Sequence, residues 1–129
     1  LAIKDGFVYL VKQFRYPYKQ EIVEIPAGKL EKNEDPMKAG IREFREELGA
    51  ITKNINYLGC MYPSVGYTDE IIYLYYSESF DFGKQELDED EFIDIIKMPI
   101  NEFDNQIKTN QIKDAKTIIA YHLWKSLNN

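Results

Sequence analysis

Sulfur and imidazole chemistry is nearly missing from this sequence, because Cys60 is its one cysteine and His122 its one histidine. An internal disulfide is excluded, and a Cys/His zinc cage or a Cys–His catalytic pair is disfavoured. Apolar runs of the length that crosses a bilayer are also missing. A metal site in this chain would therefore have to be built from oxygen ligands.

Positive charge is scarce as well. Sixteen Lys and Arg residues stand against twenty-two Asp and Glu residues, which gives a formal net charge of −6. Such a chain lacks the overall positive charge that attracts nucleic acid or anionic lipid. We therefore expect no nucleic-acid partner and no membrane partner, and a polyanionic substrate would need local compensation of its charge.

The composition is that of one globular domain, residues 1–129. Hydrophobic residues make up 44% of the chain and aromatic residues 14%, which excludes disorder. The chain begins at Leu1 without a methionine, in the middle of what resembles the first strand of a hairpin. We expect the natural protein to carry an N-terminal segment before it. The low cysteine content favours a cytoplasmic location.

Apolar periodicity predicts five strands, at residues 7–14, 21–27, 56–62, 70–76 and 92–98. The fourth of these is expected to be largely buried, and Cys60 in the third is expected to lie in the core. The order of elements is strands, helix, strands, helix. This order favours an α+β or αβα layered domain over a doubly wound parallel sheet.

Two helices are predicted with defined ends. Asp35 and Pro36 mark the start of the first helix and Gly49 marks its end. Its apolar residues form a narrow stripe that is expected to face the sheet: Met37, Ile41, Phe44 and Leu48. The second helix is capped by Asp114 and is expected to direct five side chains toward the core: Ile118, Ile119, His122, Leu123 and Trp124. A short helix is expected after Pro99.

Charged residues crowd the last two turns of the first helix: Arg42, Glu43, Arg45, Glu46 and Glu47. One interpretation is a solvated face with intrahelical Glu–Arg pairs. The helix dipole disfavours negative charge at this end, however, so an additional cation is expected there. Glu43, Glu46 and Glu47 converge near the edge of the apolar stripe, and oxygen donors in this number are what Mg²⁺ or Mn²⁺ requires.

The segment before this helix fits the same purpose. Gly28 opens a loop in which the backbone can approach a ligand, and Glu34 follows just before the helix cap. Gly28, Glu34 and the run REFREELGA at residues 42–50 together resemble the Nudix box, the signature of hydrolases that cleave nucleoside diphosphates linked to another moiety. Every charged and glycine position of that box is filled. Phe44 and Ala50 stand at packing positions where a bulky aliphatic residue is usual.

Four more segments are similar to the ADP-ribose pyrophosphatase branch of this family: VKQFRYP at residues 11–17, EIPAGKLE at 24–31, YPSVGYTDE at 62–70 and DAKT at 114–117. The resemblance implies a Nudix-like αβα sandwich with a mixed β-sheet between helices. It implies hydrolysis of the nucleoside diphosphate sugar ADP-ribose to AMP and ribose 5-phosphate, and a homodimer in the full-length protein.

Two alternatives stay open. Val65 stands where the branch usually has a proline, which leaves room for another nucleotide sugar, such as GDP-mannose, as the substrate. The second alternative is a non-catalytic sensor module that binds ADP-ribose. Such modules would be expected to have lost a box glutamate, and here all are present.

The resemblance also implies roles for individual residues. The ligands of Mg²⁺, with Mn²⁺ as an alternative cofactor, are expected to be one backbone carbonyl and three carboxylates: Ala27, Glu43, Glu46 and Glu47. Glu46 either shares the metal shell or supports it. Arg42 is expected to orient the glutamates. Glu34 either holds the loop against the helix or contacts an outer metal.

Substrate contacts are expected from Arg15, Gly28 and Glu70. Arg15 lies among aromatic residues, so it is either a strand-end charge or a guanidinium that binds the pyrophosphate bidentately.

The catalytic base is expected in the acidic segment at residues 86–91. A solubilising turn is the plain interpretation of such a segment. In the resembled branch, however, a mobile acidic loop before a strand closes over the substrate and delivers a catalytic glutamate. Glu91 is the first candidate and Glu89 the second. Glu70 is the third, and it could instead hold the substrate or the loop.

Overall fold

The computed structural model describes residues 1–128, so Asn129, the last residue of the predicted domain, lies outside the described residues. The described strands are β1 (Ala2–Lys4), β2 (Phe7–Arg15), β3 (Gln20–Glu24), β4 (Ala50–Ile51), β5 (Asn56–Met61), β6 (Ile72–Tyr76), β7 (Asp81–Phe82) and β8 (Asp94–Pro99). The helices are α1 (Pro36–Leu48), α2 (Ile100–Lys108) and α3 (Ala115–Leu127). Among these helices, none combines the length and apolar character needed to cross a membrane.

β2 organises the sheet, since it pairs antiparallel with β1, β3 and β8. The β1–β2 hairpin turns at Asp5 and Gly6, whose φ angles of 53° and 83° are those of a two-residue hairpin turn. β4 pairs with β7 and β5 with β6, also antiparallel. The one parallel contact described is the bridge between Ala2 of β1 and Ser77, which follows β6. This bridge gives the otherwise antiparallel arrangement its mixed character.

Successive side chains of β2 enter two different cores. Val8 and Leu10 pack with residues of α2 and α3, including Phe103 of α2. Val11 packs on the opposite side with residues of α1, including Phe44. Because alternate side chains of a strand point to opposite faces, the helices lie on both sides of the sheet. The predicted α+β fold with an αβα arrangement is confirmed.

α1 has the ends that the sequence predicts. The Asp35 side chain accepts a hydrogen bond from the backbone N–H of Lys38, and Pro36 occupies the first helical position. Gly49 ends the helix with a φ of 69°, and a Cβ added there would lie 2.7 Å from the carbonyl oxygen of Gly83. Glycine is therefore required at this position by both its conformation and the close approach of the neighbouring chain.

The predicted end of one strand and the predicted start of another are wrong. β3 ends at Glu24, so residues 25–27 belong to a loop and not to the predicted strand. β8 begins at Asp94, and Phe92, which was predicted inside the strand, is exposed. In both places the apolar run continues past the last backbone pairing with β2, so composition alone could not locate the end of the strand.

The prediction that residues 70–76 are largely buried is also wrong. β6 begins at Ile72, and Ile71 and Tyr73 are exposed while Leu74 is buried. β6 pairs only with β5 among the described strands, and one face of this pair stays partly open, although Tyr75 on that face packs against the core beside α1. The opposite face packs against α3.

Four side chains predicted to lie in the core are exposed: Met37, Cys60, Ile119 and His122. Met37 lies in the first turn of α1, and the buried residues of this helix begin at Ala39. Cys60 follows a bulge in β5 and pairs with the outward-facing Tyr73. In α3 the buried face consists of Thr117, Ala120 and Tyr121, which turns Ile119 and His122 toward solvent.

Candidate active site

The last two turns of α1 border a cavity of about 410 Å³, which is lined mostly by acidic side chains and by the loop that follows β3. Its lining residues are Ala27, Gly28, Lys29, Glu31, Arg42, Glu43, Glu46, Glu47, Asp88 and Glu91. The structure therefore brings the three predicted carboxylates of α1, Arg42, Ala27, Gly28 and Glu91 to one place. Glu89 is not among the residues that line this cavity.

Arg42 is the central cation of this cluster. Its Nε and Nη2 atoms donate to the carboxylate of Glu34 at 2.9 and 3.0 Å, and Nη1 donates to Glu43 at 2.7 Å and to Glu46 at 3.1 Å. Nη2 also donates to the carbonyl of Lys29. Arg42 thus ties the loop to the helix and spreads its charge over three carboxylates. Its hydrogen bonds lower the pKa of Glu34 to about 2.

Glu47 is the buried carboxyl of the cluster. This residue is 3% exposed, and its side chain accepts one hydrogen bond, at 3.2 Å, from the backbone N–H of Ala27. Burial raises the pKa of Glu47 to about 8, and the negative charges of Glu43 and Glu91 act in the same direction. Burial also raises the pKa of Glu43, despite the hydrogen bond from Arg42. The site therefore holds more negative charge than its own cations balance.

Gly28 allows the loop to lie directly against this cluster. A Cβ at this position would lie 2.0 Å from the carboxyl carbon of Glu43. No side chain fits there unless Glu43 moves away.

A second cavity, of about 570 Å³, adjoins the first and shares Ala27, Gly28, Lys29 and Glu43 with it. Arg15 and Glu70 line this second cavity, together with apolar residues of β6 and α1. Of the three predicted substrate residues, Arg15 and Glu70 thus lie beside the carboxylate cluster, while Gly28 lines both cavities. A ligand that bridges both cavities would place a charged group at the carboxylates and a larger, partly apolar group beside β6.

The loop that ends β3 is anchored by a buried ion pair that the sequence reasoning missed. Glu24 is 2% exposed and binds the guanidinium of Arg15 at 2.7 and 2.8 Å and the ammonium of Lys116 at 2.6 Å. Burial alone would raise the pKa of Glu24, but these hydrogen bonds outweigh it and hold that pKa below its ordinary value. The Thr117 hydroxyl accepts a hydrogen bond from the backbone N–H of Ile25.

The signal for this anchor is present in three of the segments noted above, since Arg15, Glu24 and Lys116 belong to QFRYP, EIPAG and DAKT. Their separation along the chain hides the contact, because Glu24 and Lys116 are 92 residues apart. Arg15 is therefore both an ion-pair partner and a cavity-lining residue.

Glu91 belongs to a short turn at the mouth of the acidic cavity. Its backbone N–H donates to the carbonyl of Asp88 at 3.0 Å, and its carboxylate accepts from the N–H of Asp88 at 2.9 Å. In the part of the chain that the structure describes, no three acidic, cysteine or histidine side chains are already arranged as a metal cage. Arg42 lies between Glu43 and Glu46, where it separates two of the predicted ligands.

By its fold and its site, the molecule belongs to the class of three-layer α+β domains in which the first helix directs carboxylates toward a loop that contains a glycine. The sequence model of the NUDIX domain matches residues 2–121, so the chain belongs to the NUDIX domain family. A solved structure described as an ADP compounds hydrolase superposes with a TM-score of 0.86, covering 98% of this chain and 69% of that one. At 16% identity, this likeness supports the fold alone.

Three curated relatives are similar in sequence. ADP-ribose pyrophosphatase of Bacillus subtilis (strain 168) is 40% identical over 123 residues, which are 93% of this chain and 66% of that protein. Methanol dehydrogenase activator of Bacillus methanolicus is 44% identical over 120 residues, 90% of this chain and 64% of that protein. GDP-mannose pyrophosphatase of Yersinia enterocolitica is 33% identical over 124 residues, 89% of this chain and 64% of that protein. The chain thus spans slightly less than two thirds of the length of each.

Proposed function

We propose that this domain hydrolyses the pyrophosphate bond of ADP-ribose or a related nucleoside diphosphate sugar, giving AMP and ribose 5-phosphate from ADP-ribose, with Mg²⁺ or Mn²⁺ as cofactor. The observation that carries the proposal is the meeting of the two cavities at Ala27, Gly28 and Glu43. The acidic cavity suits a cation, and the larger cavity suits the nucleoside or sugar of the substrate.

The donor set fits a hard divalent cation. Within the described part of the chain, Glu47 is a buried carboxyl with no cation bonded to it, and the raised pKa of Glu47 is the response of such a group to that environment. The residues that would hold the metal are Glu43, Glu47 and the Ala27 carbonyl, with Glu46 as a fourth ligand or a support. When bound, the ion supplies neutralisation of the phosphate charge and a lowered pKa for water.

The chain's own residues supply the rest of the chemistry. A water oxygen attacks one phosphorus, the bond from that phosphorus to the bridging oxygen breaks, and Glu91 takes the proton of the water. Gly28 lets the backbone approach the diphosphate, while Arg15 offers positive charge from the wall of the larger cavity. Arg42 keeps Glu43 and Glu46 in place through its two hydrogen bonds.

A product assay tests the function. The protein is incubated with a panel of nucleotide sugars, with Mg²⁺ or with EDTA, and the products are separated by chromatography. We expect release of a nucleoside monophosphate and a sugar phosphate that stops in EDTA. Equal turnover in EDTA, or no turnover of any member of the panel by protein extended to the length of its relatives, would contradict the proposal.

The base is tested by comparing Glu91→Gln, Glu89→Gln and Glu70→Gln side by side. Glu91→Gln is expected to lower kcat much more than it raises KM, because a base acts mainly in the transition state. Glu89→Gln is the matched control on the same loop, since its side chain is not at the cavity. An unchanged kcat in the Glu91 variant would assign the base to another residue.

GDP-mannose is the second candidate substrate. It is favoured by the similarity to the Yersinia protein and by Val65 at the position where the ADP-ribose branch usually has a proline. The ratio of kcat/KM for ADP-ribose and GDP-mannose in the panel decides between them. A sensor without turnover is disfavoured because every box glutamate is retained.

Three further expectations remain predictions: a homodimer of the full-length protein, a cytoplasmic location and the absence of nucleic-acid binding. Sedimentation of the full-length protein as a fully active monomer at micromolar concentration would contradict the first of these. Fractionation of cells that produce the protein tests the second. Gel-shift titration with duplex and single-stranded DNA tests the third.

A further inference from the structure

The segment that carries Glu91 is joined to the rest of the domain through the side chain of Gln85. The Nε2 atom of Gln85 donates to the backbone carbonyl of Glu47 at 2.8 Å and to the backbone carbonyl of Ile93 at 3.0 Å. Gln85 immediately precedes the acidic segment at residues 86–91, and Ile93 follows that segment after one further residue, Phe92. One amide group therefore joins the two ends of this loop and attaches them to α1.

The two carbonyls that accept hydrogen bonds from this amide lie at the end of a helix and just before the start of a strand. The Glu47 carbonyl is in the last turn of α1, where helix carbonyls have no partner within the helix. Ile93 is buried in the core beside α1 and leads directly into β8. A primary amide carries two N–H donors on one nitrogen without a charge, so it can satisfy both carbonyls at once.

The other contacts of the loop position its beginning more firmly than its end. The backbone N–H of Glu86 donates to the carbonyl of Glu46 at 2.8 Å, and Leu87 packs against the core beside α1. The Glu86 side chain also pairs with Arg45, but both groups are exposed, so that pair contributes little. Among residues 1–128, Glu91 is held only within the loop, through its two hydrogen bonds with Asp88.

We propose that Gln85 is a positioning residue for catalysis, which sets the distance from Glu91 to the carboxylates of α1. This rests on the proposed function and on Glu91 as the base. The same residue, Glu47, presents its side chain to the acidic cavity and its carbonyl to Gln85. The amide therefore links the loop to the helix at a residue whose own carboxyl lines the acidic cavity.

The test variant is Gln85→Met, which keeps the length of the side chain and removes both donors. We expect kcat to fall by about tenfold or more, because small displacements of a catalytic group are costly. KM and the Mg²⁺ concentration for half-maximal rate are expected to stay within about twofold of wild type. A large shift in the Mg²⁺ requirement would instead indicate a distorted α1 and would overturn the proposal.

Glu86→Gln is the matched control, since it changes the neighbouring side chain and leaves the amide bridge in place. We expect this control to keep wild-type kcat within about twofold. A loss in Glu86→Gln equal to that in Gln85→Met would show that any change at this end of the loop is harmful, and it would overturn a specific role for Gln85.

A double-mutant cycle with Glu91→Gln shows whether Gln85 acts through Glu91. If it does, the double variant is as slow as Glu91→Gln alone, because no base remains to be positioned. If the two losses multiply, Gln85 acts independently of Glu91 and the proposal is wrong.

Hydrogen exchange separates this proposal from the proposed function. In Gln85→Met we expect faster exchange, by about tenfold or more, at the amides of Glu86 and Glu91, with unchanged protection in β2 and β8. Unchanged exchange in the loop would overturn the proposal whatever the activity. If the wild-type protein hydrolyses no nucleotide sugar, the proposed function fails by itself, and the exchange result still decides whether Gln85 holds the loop.

Discussion

Glu47→Gln is expected to make the metal-free protein more stable at neutral pH while strongly lowering the turnover measured with Mg²⁺. Glu47 is 3% exposed, and its pKa is raised from the ordinary 4.5 to about 8 by burial. The stability that a carboxyl with a raised pKa contributes is fully present below pH 4.5, where the group is protonated in both states. This contribution is lost as the pH rises toward 8, because only the unfolded chain ionises freely in that range. Glutamine has no proton to lose, so the variant avoids this cost.

The size of the effect follows from the two pKa values. In the unfolded chain Glu47 ionises above its ordinary pKa of 4.5, and pH 7 is about 2.5 units above that value, whereas the folded protein keeps the carboxyl largely protonated. At about 1.4 kcal/mol per unit, this difference lowers the free energy of unfolding by about 3 kcal/mol. The new amide leaves one donor group unsatisfied, which returns about 1 kcal/mol. The net gain of about 2 kcal/mol corresponds to a rise in Tm of roughly 5 to 10 °C for a domain of this size.

The assay is thermal unfolding of wild type and variant in EDTA, from pH 5 to pH 8. The Tm difference is expected to be near zero or slightly negative at pH 5 and to grow in favour of the variant toward pH 8. Millimolar Mg²⁺ is expected to raise the Tm of the wild type and not that of the variant, and turnover of the variant is expected to fall by about 100-fold or more. A Tm difference that does not change between pH 5 and pH 8 would show that Glu47 is already ionised in the folded protein, and the reasoning would be wrong.

Three other predictions follow from the site. Gly28→Ala is expected to keep the Tm within a few degrees but to raise the Mg²⁺ concentration for half-maximal rate, because its Cβ would displace the flexible carboxylate of Glu43; an unchanged Mg²⁺ requirement would refute this. Thr117→Val is expected to cost about 1 to 3 kcal/mol in urea unfolding, since the N–H of Ile25 loses its acceptor, and Thr117→Ser should restore most of the loss. Wild-type protein at a Mg²⁺ concentration 100 times its dissociation constant should gain about 2.7 kcal/mol, and a Tm independent of metal would count against the site.

The helix of the site could be predicted because its signals are local. Asp35, Pro36 and Gly49 act on the nearest turn of backbone, so α1 begins and ends where the sequence indicates. The spacing of Glu43 and Glu47 along that helix likewise places both at one cavity. The resemblance to the ADP-ribose pyrophosphatase branch predicts a role for the acidic segment, whose Glu91 lines the same cavity.

The remaining features depend on contacts between distant parts of the chain. β4 and β7 have two residues each, and what defines them is their pairing with each other, not their own composition. Gln85 is 38 residues from the helix carbonyl that it binds, and a glutamine in a loop carries no periodic signal. The exposure of Cys60 depends on a bulge in β5, whose position follows from pairing with β6.

The alternation along β2 has a consequence for how the domain comes apart. Val8 and Leu10 of β2 belong to one core and Val11 belongs to the other. If β2 leaves one core, the other core therefore loses its contacts with this strand as well. The domain should therefore melt in a single cooperative transition, with the calorimetric enthalpy equal to the van't Hoff enthalpy. Neither core should stay folded after the other has unfolded, and cleavage of the chain between β2 and β3 should unfold the whole domain.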